Sequence, residues 1–299
     1  MNNNGENLMI GEIPINTKYY KNDEFMQRGD WKDRMLAFVK KHSSYEEALS
    51  SISEWAFIYH LSPLRRNLLS FYNFTNISKV LEVGAGCGAL TGLLAEKCSH
   101  VTCNDLSLRR SIINAQRHCK VENIDIIVGD VMEIEFAEKF DLIVAIGVFE
   151  YVAVSNPEAF LKKILSMLNK GGKLLLAIEN KFGLQYWAGY PEDHTNRLYD
   201  SIEGYSSKEK ALTFSRNQLE SMVLNAGFNQ VYFFYPVPDY KFPKHIFSDK
   251  NLPSENELNY FKNYRQRSMV SFNEEKVLIE IIKDEAFPFF ANSFLVEAR

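Results

Sequence analysis

No C-x-x-C pair occurs in this 299-residue chain, and its cysteines number four: Cys87, Cys98, Cys103 and Cys119. That argues against a structural zinc and against a disulfide framework, so no metal site is expected. A basic excess is missing too, since Lys and Arg total 34 against 38 Asp and Glu, a formal net charge of -4. Such a chain has no overall field to hold nucleic acid or an anionic membrane, though a local patch stays open, and no nucleic-acid partner is expected. The longest apolar run, Leu142 to Phe149, has eight residues, far short of the ~20 that span a bilayer. Met1-Asn2-Asn3-Asn4-Gly5-Glu6 has neither a basic nor an apolar stretch, so no secretory signal is read there. A cytoplasmic protein is expected. Hydrophobic residues at 46% and charged residues at 24% exclude general disorder.

What is present begins with aromatics: 22 Phe and 15 Tyr, many of them after residue 180, enough for a large aromatic core or a ring-lined pocket. The first 44 residues are polar without a sustained period and read as a loosely held extension. Residues 45–299 read as a single domain, with lid-like insertions at about 180–212 and 239–288. Helical spacing of Ala48, Leu49, Ile52, Trp55 and Ala56 predicts a helix, and Pro63 starts a second. Strands and helices then alternate. Strands are predicted at Lys79–Val83, His100–Asn104, Ile124–Val128, Asp141–Val148, Lys173–Ile178, Val231–Tyr235 and Ser293–Ala298. Ser107 is expected to cap one helix, and Ser215 with Gln218 to form a capping box on another that stops at Gly227. The pattern predicts an α/β, Rossmann-like fold: a mostly parallel seven-stranded sheet with helices on both faces.

The first predicted strand runs into Gly84-Ala85-Gly86-Cys87-Gly88 and then a helix. Glycine lets the chain turn sharply and lets a ligand touch bare backbone, while helix N–H groups face the crevice at the strand ends. Alone, this loop is weak evidence, and Asp105 and Asp130 alone would read as strand-end caps. Together, three elements each close a strand at its C-terminal end. An acid at Asp105 can accept ribose hydroxyls, and Asp130 can reach an adenine edge. The site reads as one for a nucleoside-like cofactor. A dinucleotide fingerprint needs G-x-G-x-x-G, whereas the glycines here are Gly84, Gly86 and Gly88, followed by Ala89-Leu90-Thr91. Glu82 would sit badly beside a diphosphate and suits a cofactor bearing an ammonium and a sulfonium. S-adenosylmethionine fits better than NAD.

Val80 through Gly88, Asn104-Asp105-Leu106-Ser107, Gly129-Asp130 and Phe140 through Val152 resemble the ordered motifs of class I S-adenosylmethionine-dependent methyltransferases. The resemblance covers roughly residues 59 to 235. It implies methyl transfer from S-adenosyl-L-methionine, with Glu82 near the methionine part, Asp105 on ribose and Asp130 near adenine. Tyr59 through Leu69, Glu179 through Leu184, and Pro191-Glu192-Asp193-His194-Thr195 look similar to bacterial methyltransferases found beside or fused to family 2 glycosyltransferases. This implies a hydroxyl of a saccharide or other small molecule as acceptor and a glycosyltransferase as partner. The alternatives are an NAD-type oxidoreductase, disfavoured by the glycine spacing and Glu82, and a catalytically silent methyltransferase-like binding subunit.

The segment after the fifth predicted strand leaves the sheet at its functional end. Glu179, Asn180, Tyr186 and Trp187 are candidates to touch an acceptor, as are Glu192, Asp193, His194 and Tyr205. Glu150 and Tyr151 form a second rim pair. Packing or a solvated loop face would account for each singly, but long irregular segments in compact domains are often binding lids. Methyl transfer is a displacement at carbon, so the protein chiefly aligns the partners and excludes water. A hydroxyl acceptor benefits from a base near neutrality, and His194 and Glu150 are the expected catalytic pair.

Overall fold

A computed structural model describes residues 7–21, 30–42, 44–152, 154–205, 210–258 and 267–299. The N-terminal stretch Met1 to Glu6 lies outside them. The chain divides into two compact units, residues 1–144 with 167–172, and residues 145–166 with 173–299.

In the first unit the strands are β1 (Leu8–Ile10), β2 (Ile13–Tyr19), β3 (Lys79–Val83), β4 (His100–Asp105), β5 (Ile124–Gly129) and β6 (Phe140–Ile146), in the order β1-β2-β5-β4-β3-β6. β2 runs parallel to β5, β4 parallel to β5 and β3 parallel to β4. β-branched and aliphatic residues fill these strands, and Val80, Leu81, Val101, Ile124 and Val128 are fully buried, as strands covered on both faces require. In the second unit β7 (Leu168–Glu179), β8 (Val231–Val237), β9 (His245–Ser248) and β10 (Ser293–Ala298) follow the order β7-β10-β8-β9. Its pairings are antiparallel, with Glu179 opposite Ser293 and Val237 opposite His245. Among the described residues, ten strands of mixed direction replace the expected seven, mostly parallel ones.

The three additional strands are β1, β2 and β9. The first two lie in the segment read as an N-terminal extension, where Ile13 and Ile15 alternate inward and are fully buried. Helix α1 (Trp31–Lys41) follows. Its Met35 and Val39 join Phe57 and Leu61 of α2 (Trp55–Leu61), together with Cys87 and Ile113, in one apolar cluster. Each such side chain contributes about 1.5–3 kcal/mol by leaving water, so the N-terminal segment is part of the core beneath the glycine loop.

Other local predictions meet the structure closely. Ser107 caps α4 (Leu108–Arg117), which follows α3 (Thr91–Lys97). α5 (Pro157–Met167) precedes β7, and α6 (Arg216–Asn225) carries the capping box of Ser215 and Gln218. The helix expected from Tyr45 to Phe57 is instead a short turn of helix at Glu46–Leu49 and then α2. β7 begins at Leu168, earlier than expected, and takes in Gly171 and Gly172. All four cysteines are thiols, and among the described residues no helix is long and apolar enough to cross a membrane.

Candidate functional site

In the first unit, strand register gathers the expected cofactor residues. Val83 lies opposite Asn104, and Asp105 opposite Val128, so β3, β4 and β5 end side by side. The chain leaving β3 adopts positive φ at Gly84 (69°), Gly86 (55°) and Gly88 (77°), a region that L side chains enter at a cost. This curls the loop over the β4 end, where the Gly86 N–H donates to Asp105 Oδ2 at 2.9 Å and the Ser107 N–H to Asp105 Oδ1 at 2.8 Å. Each carboxylate oxygen keeps a further lone pair, so the carboxylate can still accept from a ligand. The Asn104 amide donates to the carbonyls of Ile127 and Gly129 at 3.1 and 2.9 Å and locks the end of β5 beside β4. Asp130, half-buried just beyond, accepts from the Met132 N–H at 2.9 Å.

Glu82 lies under the loop and is 5% exposed. Its Oε2 accepts from the Thr91 hydroxyl at 2.5 Å, and the Asn114 amide donates to that hydroxyl at 3.1 Å. Burial pushes the Glu82 carboxyl up to about 7, against the opposing pull of the Thr91 and Cys103 hydrogen bonds. Thr91, Asn104 and Asn114 were not anticipated, because their roles come from partners on other strands and helices. His60 was not singled out as a site residue either. Its ring stacks on Trp31 with centroids 5.5 Å apart, and it lies 3.8 Å from where a Cβ on Gly86 would stand. Burial, helped by the charges of Arg110, Arg65 and Arg117, pushes its pKa down to about 3, so a neutral imidazole faces the loop.

In the second unit, Glu150, Glu179 and His194 each bring one donor atom within 4.8 Å of the others. Glu179 ends β7, and Glu150 sits in the short helical turn Phe149–Val152 past β6. Each glutamate is 1% exposed. Lys241 donates to Glu179 Oε1 at 2.5 Å and to Asp193 Oδ1 at 2.9 Å, and the Tyr240 hydroxyl donates to Glu179 Oε1 at 3.2 Å. His194 Nε2 stands 3.7 Å from Glu179 Oε2, an ion-pair distance too long for a hydrogen bond.

Burial would raise the Glu179 carboxyl, but the Lys241 ammonium overrides it and, with His194, holds Glu179 well below the usual carboxylate range. Burial and the neighbouring Glu179 charge push Glu150 the other way. Burial opposes a charge on His194 as well, yet Glu179 outweighs it and raises the imidazole to about 9. The expectation of a histidine base poised near 6.5 is therefore corrected: this imidazole holds its proton at neutral pH.

The segment around His194 is pinned rather than solvated. Glu192, 1% exposed, accepts from the N–H groups of His194 and Thr195, each at 2.7 Å, and from the Tyr205 hydroxyl at 3.1 Å. Asp193 accepts from the Tyr186 hydroxyl at 2.8 Å. The buried Asn180 donates to the carbonyls of Phe289 and Ala291, both at 2.7 Å. Tyr186 is fully buried, Trp187 is 38% exposed, and Tyr151 is 55% exposed with its ring edge-on to His194 at 5.4 Å. Lys241, which ties the cluster together, was missed because it lies between Pro238 and Pro243 in a stretch with no period.

Residues 81–176, about a third of the chain, match a family model described as a methyltransferase domain. An uncharacterized methyltransferase of Staphylococcus carnosus is 34% identical over 145 residues, 48% of this chain and 65% of the relative. Nodulation protein S of Rhizobium tropici is 31% identical over 112 residues, 37% of this chain and 47% of its own. The chain spans between 40% and 65% of the length of these and the next curated relative. Among solved structures, phosphoethanolamine N-methyltransferase 2 of Haemonchus contortus in complex with S-adenosyl-L-methionine is similar at a TM-score of 0.52. Its identity is 18%, over 96% of this chain and 61% of that one. That likeness shows the fold.

Proposed function

We propose that this chain is an S-adenosylmethionine-dependent methyltransferase that acts on an oxygen of a small molecule, a saccharide hydroxyl being the acceptor class that fits best. The observation that carries the reading is the loop in which Gly86 donates to Asp105 at the ends of β3 and β4, inside a segment that matches a methyltransferase domain. Glu82 answers to the cofactor's ammonium, Asp105 to ribose and Asp130 to adenine. The acid and histidine cluster of the second unit supports a hydroxyl acceptor, because removing an alcohol proton calls for nearby carboxylates. At neutral pH Glu179 is the ionised carboxylate of that cluster, while His194 carries its proton and Glu150 is pushed toward its protonated form. Association with a family 2 glycosyltransferase belongs to the same proposal and rests on the sequence resemblance alone.

Calorimetry with S-adenosylhomocysteine and with NAD tests the core of it. Binding of the first and silence toward the second is expected, and the reverse would sink the methyl-transfer reading and support an NAD-type oxidoreductase. Asp105→Ala is expected to weaken S-adenosylhomocysteine by about 1.5–3 kcal/mol, the scale of hydrogen bonds to a charged group. Parent-like affinity would remove Asp105 from the site.

The raised Glu82 carboxyl adds a pH signature. With a value of about 7, Glu82 is roughly half protonated at pH 7 in the empty site. An ammonium beside it selects the carboxylate, so binding lowers the Glu82 pKa and releases roughly half a proton at that pH. Affinity should then fall roughly fivefold from pH 7 to pH 6, as the carboxylate fraction shrinks. Binding heats at pH 7 in buffers of different ionisation enthalpy read the proton directly. Buffer-independent heats and a flat affinity from pH 6 to 8 would take Glu82 off the ammonium.

A further inference from the structure

We propose that Glu150, Glu179 and His194 form a binding site for one divalent transition cation of the Mn2+ or Zn2+ kind. The inference rests on the second unit's geometry and stands or falls independently of the methyl-transfer reading.

Two observations carry it. One donor atom from each of the three side chains lies within 4.8 Å of the other two. Separately, Glu150 Oε2, Glu179 Oε2 and His194 Nε2 are all sealed from solvent and have no hydrogen-bond partner among the described residues. A buried carboxylate oxygen without a partner costs several kcal/mol unless something satisfies it. Three clustered side chains, each with such an atom and two of those atoms 3.7 Å apart, mark a place for a shared positive ligand.

Charge points the same way. Counted with a neutral imidazole, the ionised Glu150, Glu179 and Asp193 carry three negative charges, and Lys241 supplies one positive. The group is then two positive charges short. Glu192 lies close by, but two backbone N–H groups and the Tyr205 hydroxyl already satisfy its carboxylate. Two protons would balance the charge, one on His194 and one on Glu150. They would leave their hydrogens poorly shared, since Nε2 stands 3.7 Å from Glu179 Oε2 and Glu150 Oε2 has no acceptor among the described residues. One divalent cation balances the same charge and engages all three atoms, at about 2.0–2.2 Å each.

The spacing allows it. Ligands about 2.1 Å from one cation lie up to about 4.2 Å apart, so the 3.7 Å pair of Nε2 and Oε2 already fits. A triangle within 4.8 Å needs to close by about 0.6 Å at most. Lys241 does not compete for these atoms. It occupies Glu179 Oε1 and turns Oε2 toward the triangle. One imidazole nitrogen with two carboxylate oxygens suits Zn2+ or Mn2+ better than Ca2+ or Mg2+, which favour all-oxygen shells. With three protein ligands a tetrahedral cation would keep one position open for an oxygen ligand such as water.

The test uses the full chain, freed of metal by dialysis against a chelator. Titration with Mn2+, followed by loss of the free-ion electron paramagnetic resonance signal, should show one saturable site that Zn2+ displaces. Bound Mn2+ should show modulation of its spin echo by an imidazole nitrogen. Glu150→Gln and His194→Gln should each weaken binding by about tenfold or more, and His194→Gln should abolish the nitrogen modulation. The exposed variant Glu133→Gln should bind like the parent. Circular dichroism establishes which variants are folded. If one variant fails to fold, the nitrogen signature of the parent decides alone. A folded parent with no saturable Mn2+ or Zn2+ site, or a site that survives both substitutions, would overturn the proposal and leave a proton-balanced ion cluster. Either outcome leaves S-adenosylhomocysteine binding by the first unit untouched, so the two readings fail separately.

Discussion

Gly86→Val is expected to abolish S-adenosylhomocysteine binding, with affinity falling by about a hundredfold or more, while the chain still unfolds cooperatively. Gly86 has a φ of 55°, and forcing an L side chain into that region costs roughly 1–2 kcal/mol, a loss a domain of this size can carry. A Cβ there would already be in van der Waals contact with the His60 ring at 3.8 Å and the Gly84 carbonyl at 3.9 Å. Valine's γ-carbons would press on that ring and displace the loop locally, altering the bare backbone that the proposed ligand approaches. This would also tilt the N–H that now reaches Asp105 Oδ2. Gly88 provides the contrast. A Cβ there would stand 2.2 Å from Asn114 Oδ1, and Asn114 supports Thr91 and, through it, Glu82, so Gly88→Val should damage the fold itself. Calorimetry for affinity and thermal unfolding for integrity separate the two. Parent-like affinity in a folded Gly86→Val protein would place the ligand elsewhere.

How far these features could be read in advance depended on how local their causes are. β3, β4, β5 and β10 follow from short runs of aliphatic and β-branched residues bounded by glycine or acid, and each appears within a residue or so of its expected limits. The Ser215 capping box is a three-residue pattern and forms as expected. β2 was missed because its alternation covers few residues, carries Pro14, and becomes a strand only through pairing with β5, more than a hundred residues later. β9 likewise depends on its partner β8. The residues proposed for the cofactor could be picked out because each is tied to a strand end. Their supports were not: Thr91 and Asn114 reach Glu82 from α3 and α4, and His60 reaches the loop through its stack on Trp31. In the acid cluster, Glu150, Glu179 and His194 were named as site residues, yet the protonation of His194 was expected wrongly. That error came from a partner sequence spacing does not reveal, the Glu179 carboxylate at 3.7 Å.

Lys241→Met should destabilise the protein by about 3–5 kcal/mol, the usual cost of removing one partner from a buried ion pair. The lysine side chain is 11% exposed and its two acids, Glu179 and Asp193, are 1% and 11% exposed, so solvent can do little to screen what is left. Methionine keeps most of the side-chain volume, which confines the change to the lost charge and its hydrogen bonds. Without the ammonium, two carboxylates remain beside Glu150, and the cluster must take up protons to remain folded. The charge argument then makes a second prediction. Removing one negative charge along with the positive one, in Lys241→Met with Glu179→Gln, should recover part of the loss, because a neutral amide in that place no longer needs a counter-charge. Urea unfolding of the parent, the two single variants and the double variant closes the cycle. A coupling of about 1.5 kcal/mol or more, in the sense that the double variant loses less than the sum of the singles, is the expected result. Strict additivity would mean that Lys241 stabilises through Asp193 rather than Glu179, and that the charge of Glu179 is balanced by something other than this lysine.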